Sequence, residues 1–140
     1  MSAPAELKVG LFGIGLDTYW PQFEGLKAKL LGYQEQVSVR LESFGAEVVD
    51  AGLVDNPAVS RVVGDRFRSE NVDLVFLFIT TYALSSTVLP VVQRAGVPFV
   101  VLNLQPVAQL DYEAFNALGD RGKMTGVWLE HCQACCAPEI

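Results

Sequence analysis

Apolar residues recur along the chain in two rhythms. Four short runs, Leu7 to Phe12, Ala46 to Ala51, Asp73 to Ile79 and Pro98 to Leu102, have the length and composition of strands. The last two are almost unbroken Val, Leu, Ile and Phe, as expected of strands covered on both faces. Between the first two runs, Phe23, Leu26, Leu30, Tyr33, Val37, Leu41 and Phe44 follow one another at spacings of three and four. That is one apolar stripe on a long helix entered at Pro21 and stopped by Gly45. Asn56-Pro57 reads as cap and first turn of a second helix running to about Ser69. A third helix is expected from about Ser86 to Ala95, ending at Gly96. A fourth should start near Thr125 and carry Trp128 and Leu129. The stretch from Asn103 to Thr125 is the least regular and reads as a long loop with a short helix inside it.

Strand and helix thus alternate four times. This predicts a parallel sheet with right-handed crossovers and helices on both faces; the preferred topology is a flavodoxin-like three-layer αβα fold of four or five strands in the order 2-1-3-4, with a doubly wound Rossmann variant as the alternative. Residues 1–140 read as a single domain, with no repeat, low-complexity tract or linker. A flavodoxin-like domain ordinarily has a fifth strand, and Pro138-Glu139-Ile140 reads as the entry to a further element. Either the domain is a small one or more chain follows Ile140.

Composition narrows the partners. Half the residues are hydrophobic (51%), 19% are charged and the net charge is -6. A core is affordable, and a nucleic acid or an anionic membrane would be repelled. No apolar run reaches the roughly 18 residues that span a bilayer, and Met1 to Lys8 lacks a signal-peptide core. A cytoplasmic protein is expected.

Ligands of open parallel sheets bind beyond the carboxyl ends of the strands. The first such loop reads Gly13-Ile14-Gly15-Leu16-Asp17-Thr18-Tyr19-Trp20. Two glycines resemble the start of a dinucleotide fingerprint, but the third is missing and Asp17 would repel a pyrophosphate. The plain alternative is a tight turn at Gly13 and Gly15 with Thr18 capping the helix. Tyr19 and Trp20 beside Asp17 form a sugar platform, aromatic faces for C–H patches and a carboxylate for hydroxyls. Equally, Trp20 can simply pack over the sheet end. The third loop carries Thr80, Thr81, Tyr82, Ser85 and Ser86 with no Lys or Arg, which suits a neutral polyol. One of the serines should cap the third helix. The fourth offers Asn103 and Gln105, whose carboxamides both donate and accept; they can also bond nearby loop backbone. The candidate substrate-binding residues are therefore Asp17, Tyr19, Trp20, Thr80, Thr81, Tyr82, Asn103 and Gln105, and no catalytic residue is assigned. His131, Cys132, Cys135 and Cys136 cluster near the end. A zinc site needs four convergent ligands; reduced cysteines on a packed helix are the simpler reading. No metal ligand is assigned, and the roles of these four residues stay open.

These loops, with Gly119-Asp120-Arg121-Gly122-Lys123-Met124-Thr125-Gly126, make the chain resemble, over essentially its whole length, the N-terminal domain of the L-arabinose isomerase and L-fucose isomerase superfamily, nearest its arabinose-isomerase-like branch. The resemblance implies a cytoplasmic aldose–ketose isomerase of carbohydrate metabolism that uses manganese or a similar divalent metal. It implies metal ligands and proton-transfer groups in later domains, and a homo-oligomer with active sites at subunit interfaces. Tyr19 matches the loop tyrosine that reaches the sugar, and Gln105 a polar residue after the fourth strand. Arabinose isomerases proper carry a histidine-containing loop where this chain has Thr81-Tyr82, so the sugar is left open. These residues alone are expected to bind no cofactor and to be inert. Two other readings stand beside this one: a free-standing sugar-binding module without catalysis, and a flavodoxin-like redox domain.

Overall fold

The computed structural model describes residues 6–131. Strands β1 (Lys8–Ile14), β2 (Glu47–Val54), β3 (Leu74–Phe78) and β4 (Phe99–Leu102) alternate with helices α1 (Leu26–Ser43), α2 (Pro57–Ser69) and α3 (Ser85–Ala95). Two further helices follow, α4 (Tyr112–Ala117) and α5 (Arg121–His131). The strands pair in parallel in the order β2-β1-β3-β4. This is the three-layer, flavodoxin-like arrangement expected from the alternation.

Alternate residues of β1 serve opposite faces. Phe12 and Ile14 join Phe67 of α2 and Val88 and Val91 of α3 in the larger core. Gly10 lets the Phe67 ring lie against the strand; a Cβ there would sit 2.9 Å from that ring. On the other face Leu26 and Leu30 of α1 meet Leu53 of β2 and Leu129 of α5. Asn56 caps α2 as expected, its side chain accepting from the N–H groups of Ala58 and Val59. Gly45 and Gly96 close α1 and α3 at φ 92° and 67°.

Several expectations are corrected. The first helix starts at Leu26 rather than Pro21, because Gly25 (φ 80°) breaks the chain there. Thr18 caps no helix and lies in a 3-10 turn, Asp17–Tyr19. The N-cap position of α3 is held by Leu84, with no side-chain cap, and Ser85 and Ser86 lie inside the first turn. Helix α5 begins four residues earlier than Thr125. Phe44 leaves the apolar stripe and is 74% exposed. Strand β4 is not covered on both faces: Phe99, Val100 and Val101 are each more than 40% exposed. Among the described residues it is an edge strand, paired with β3 alone.

Between β1 and β2 the register slips: Leu11 faces Asp50, but Gly13 faces Leu53. The extra residue makes a bulge at Gly52 (φ 70°). Gln34 of α1 clamps it. Its amide donates to Asp50 Oδ1 (2.7 Å) and to the Gly52 carbonyl (3.0 Å).

Among the described residues no helix is long and apolar enough to cross a membrane.

Candidate functional site

The carboxyl ends of β1, β3 and β4 meet at the point where the chain reverses direction across the sheet, the usual place for a ligand. The first loop is drawn down onto β2. Gly15 N–H donates to the Val54 carbonyl and Asp17 N–H to that of Asp55, both at 3.1 Å. Trp20 then lies over Gly15, and its Nε1 donates to Asp55 Oδ2 at 2.8 Å. Asp55 is buried, takes a further bond from Asn56 Nδ2 (3.1 Å) and lies 3.9 Å from Lys27 Nζ. The same ammonium stands 5.5 Å from the Trp20 ring centre. The indole is thus fixed on three sides, and it packs over the sheet end as the plainer sequence reading had it. Tyr19 and Phe23 continue the aromatic row, edge to face at 6.2 Å.

The two threonines are fully buried. Thr80 extends the β1–β3 ladder: Ile14 N–H donates to its Oγ1 at 2.9 Å, and its hydroxyl donates back to the Ile14 carbonyl. Thr81 Oγ1 is buried with no partner among the described residues. Neither is open to solvent. Asp17, Tyr82, Asn103 and Gln105 are exposed at the loop surface. The candidates therefore divide into a clamped turn (Asp17, Tyr19, Trp20), a buried pair (Thr80, Thr81) and an exposed rim (Tyr82, Asn103, Gln105). Gln105 also borders an apolar groove of about 480 Å³ formed by Val37, Leu41, Phe78 and Leu102.

A second group is absent from the sequence reading. Glu130, on α5, is 6% exposed. It accepts from the Tyr33 hydroxyl at 2.6 Å and from Lys29 Nζ at 3.1 Å, both on α1. Burial alone would raise its carboxyl. The bonds from Tyr33 and Lys29, with His131 and the Lys29 charge nearby, outweigh burial and hold it below the ordinary carboxylate value. Burial raises the Tyr33 phenol from 10.0 to about 12, helped by the bond to Glu130 and its charge. His131 Nδ1 lies 2.9 Å from the Val127 carbonyl, so that nitrogen carries the proton; Nε2 is 3.8 Å from Glu130 Oε1. Cys132, Cys135 and Cys136 lie outside the described residues. Among the residues described, no three His, Cys, Asp or Glu side chains are grouped to hold a metal ion.

The signs fix a pH window for the α1–α5 contact. The lowered Glu130 contributes stability above the ordinary carboxylate value of 4.5 and loses it as pH falls below. The raised Tyr33 contributes fully below pH 10 and loses that part between pH 10 and about 12. In an ultraviolet titration Tyr33 should give a phase near pH 12, and Glu130→Gln should lower it part of the way while burial holds the rest. An unchanged late phenol in that variant would show that burial alone is responsible.

A strand-end rim of amides and hydroxyls can bind a neutral polar ligand by paired donation and acceptance. Comparison of the chain with protein-family models, with curated proteins and with solved structures gives no match.

Proposed function

We propose that this domain is the substrate-side wall of a sugar isomerase, holding a neutral polyol while the groups that move the proton belong to other parts of the enzyme. The observation that carries this reading is the exposed rim at the switch point. Tyr82, Asn103 and Gln105 offer uncharged donors and acceptors there, with Asp17 as the one carboxylate among the candidates. A phosphate would meet no cation among those residues, whereas sugar hydroxyls match them. Divalent metal in the whole enzyme would polarise the sugar's oxygens; residues 6–131 offer no grouped donor set for it.

The reading includes a homo-oligomer with active sites at subunit interfaces. Its support is the β4 edge. From Gly96 to Leu110 the chain carries no charged residue, and Phe99, Val100, Val101, Leu104 and Val107 are all exposed. Solitary sheets commonly guard such edges with charge, whereas interface centres are depleted of it.

Two-dimensional amide NMR of the labelled chain, titrated with aldopentoses and aldohexoses, tests the proposal. Saturable shifts at Asp17, Tyr82, Asn103 and Gln105 are expected, with a dissociation constant on the order of 1 mM, or about -4 kcal/mol. Gln105→Ala should weaken binding about tenfold, and no isomerised sugar should accumulate. Absence of shifts at the rim would remove the proposed role.

A further inference from the structure

A further set of polar groups lies beside the strand-end loops rather than on them. Helix α5 leans on the first half of α1 and leaves a cleft of about 440 Å³ between them. That is within the range of small-molecule sites, roughly 300–1,000 Å³. Its floor is Glu130, held by Lys29 and Tyr33. Its rim carries Gln22, Glu24, Asp120 and Lys123, and one wall is the half-buried ring of Phe23.

The sequence keeps the cleft open. Gly122 and Gly126 stand one turn apart on α5 and both line it; a Cβ on Gly126 would already touch Phe23 at 3.5 Å. Side chains there would fill the space. Asp120 uses Oδ1 to cap the Lys123 N–H at 2.8 Å, and among the described residues its other oxygen takes no hydrogen bond. The floor is rigid because both oxygens of Glu130 are bonded across to α1 while Leu129 packs with Leu26 and Leu30.

We infer that the α1–α5 cleft is a second seat for a neutral polyol of monosaccharide size. The inference rests on the sugar reading above and extends it to a site made of different residues. The chemistry of the lining selects the class. Glu130 is neutralised by Lys29, which leaves Glu24 and Asp120 against Lys123. A phosphorylated or carboxylated ligand meets two carboxylates and is repelled. An apolar ligand would desolvate the rim charges without pairing them. Hydroxyls donate to the carboxylates and accept from Lys123 and the Gln22 amide, while a C–H face lies on Phe23. Tyr19 packs edge-on against both Phe23 and Trp20, so the aromatic row joins the cleft to the clamped turn.

The test uses the same labelled chain and two probes, an aldopentose and the corresponding pentitol, which lacks the carbonyl. Both should shift the amides of Phe23, Glu24, Lys123 and Gly126. Lys123→Met should weaken cleft binding about tenfold without moving the thermal midpoint. Gly126→Leu should abolish it by filling the space, while shifts at Asn103 and Gln105 persist. Shifts at the rim with none in the cleft would overturn this inference and leave the proposed function standing. Shifts in the cleft alone would uphold it and remove the rim. Silence at both would remove both. Equal cleft shifts from a sugar phosphate would overturn the assignment to a neutral ligand.

Discussion

Thr80→Val should destabilise the domain by about 3 kcal/mol, although the two side chains have nearly the same shape. The hydroxyl is the only atom exchanged, and it serves both backbone groups of Ile14. It accepts from the N–H at 2.9 Å and donates to the carbonyl. Both residues are buried, so water does not replace it. An orphaned buried backbone group costs roughly 1–3 kcal/mol, and two are left. Thr80→Ser keeps the hydroxyl and loses a buried methyl, about 1 kcal/mol. Urea unfolding followed by circular dichroism separates the two. A Val variant as stable as the Ser variant would mean that the strand ends are held by the rest of the ladder. The same experiment bears on the site. A residue chosen as a ligand contact for its hydroxyl instead ties β1 to β3 beneath the loops, and its loss should blunt sugar binding only as far as it loosens them.

Much of the architecture was legible because it depends on local chemistry. Asn56-Pro57, Gly45 and Gly96 act within a turn of themselves, and the structure uses all three as read. Alternation and crossover hand imply a parallel, doubly wound sheet, and of the two common orders the structure has 2-1-3-4. What was not legible depends on distance. Phe99-Val100-Val101-Leu102 reads the same whether or not a neighbour covers it, and only the topology makes β4 an edge. Pro21 suits a first turn, but Gly25, four residues on, turns left-handed and α1 starts after it, while the bond from Trp20 to Asp55, 35 residues away, is a contact that the local sequence does not mark. Glu130 stands 97 and 101 residues from Tyr33 and Lys29. Nothing near Glu130 in the sequence marks it, except that a carboxylate follows Trp128-Leu129 on a helix that must bury that side. Thr80 and Thr81 looked free because the apolar run ends at Ile79, yet the sheet continues to bury its backbone for two residues more.

The glycines of the first loop give the second large effect. Gly13→Ala should cost about 3 kcal/mol, at the upper end of what overpacking a core costs. The φ of Gly13 is not positive; the obstacle is space. A Cβ there would lie 2.3 Å from Gln34 Oε1, 2.6 Å from Leu53 Cδ2 and 2.9 Å from Thr80 Cγ2. Leu53 and Thr80 are buried and held. Gln34 yields only by releasing Asp50 and Gly52, which opens the bulge that aims the end of β2. Asp55 follows, and with it the anchor of Trp20. The variant should therefore show lower stability together with red-shifted tryptophan fluorescence. Gly15→Ala meets only the rim of the Trp20 ring at 2.8 Å and the Thr81 methyl at 3.6 Å. The ring gives way only by loosening its bond to Asp55, so about 1–2 kcal/mol is expected, less than at Gly13. Gly25→Ala has open space but a φ of 80°, a strain that also costs on the order of 1 kcal/mol. A phosphate-cradling loop would give a different order, with both loop glycines tolerated in the free protein and needed only for the ligand. Ranking the three variants by urea midpoint, without any ligand, decides whether these glycines exist for packing or for binding. Gly13 well below the other two means packing.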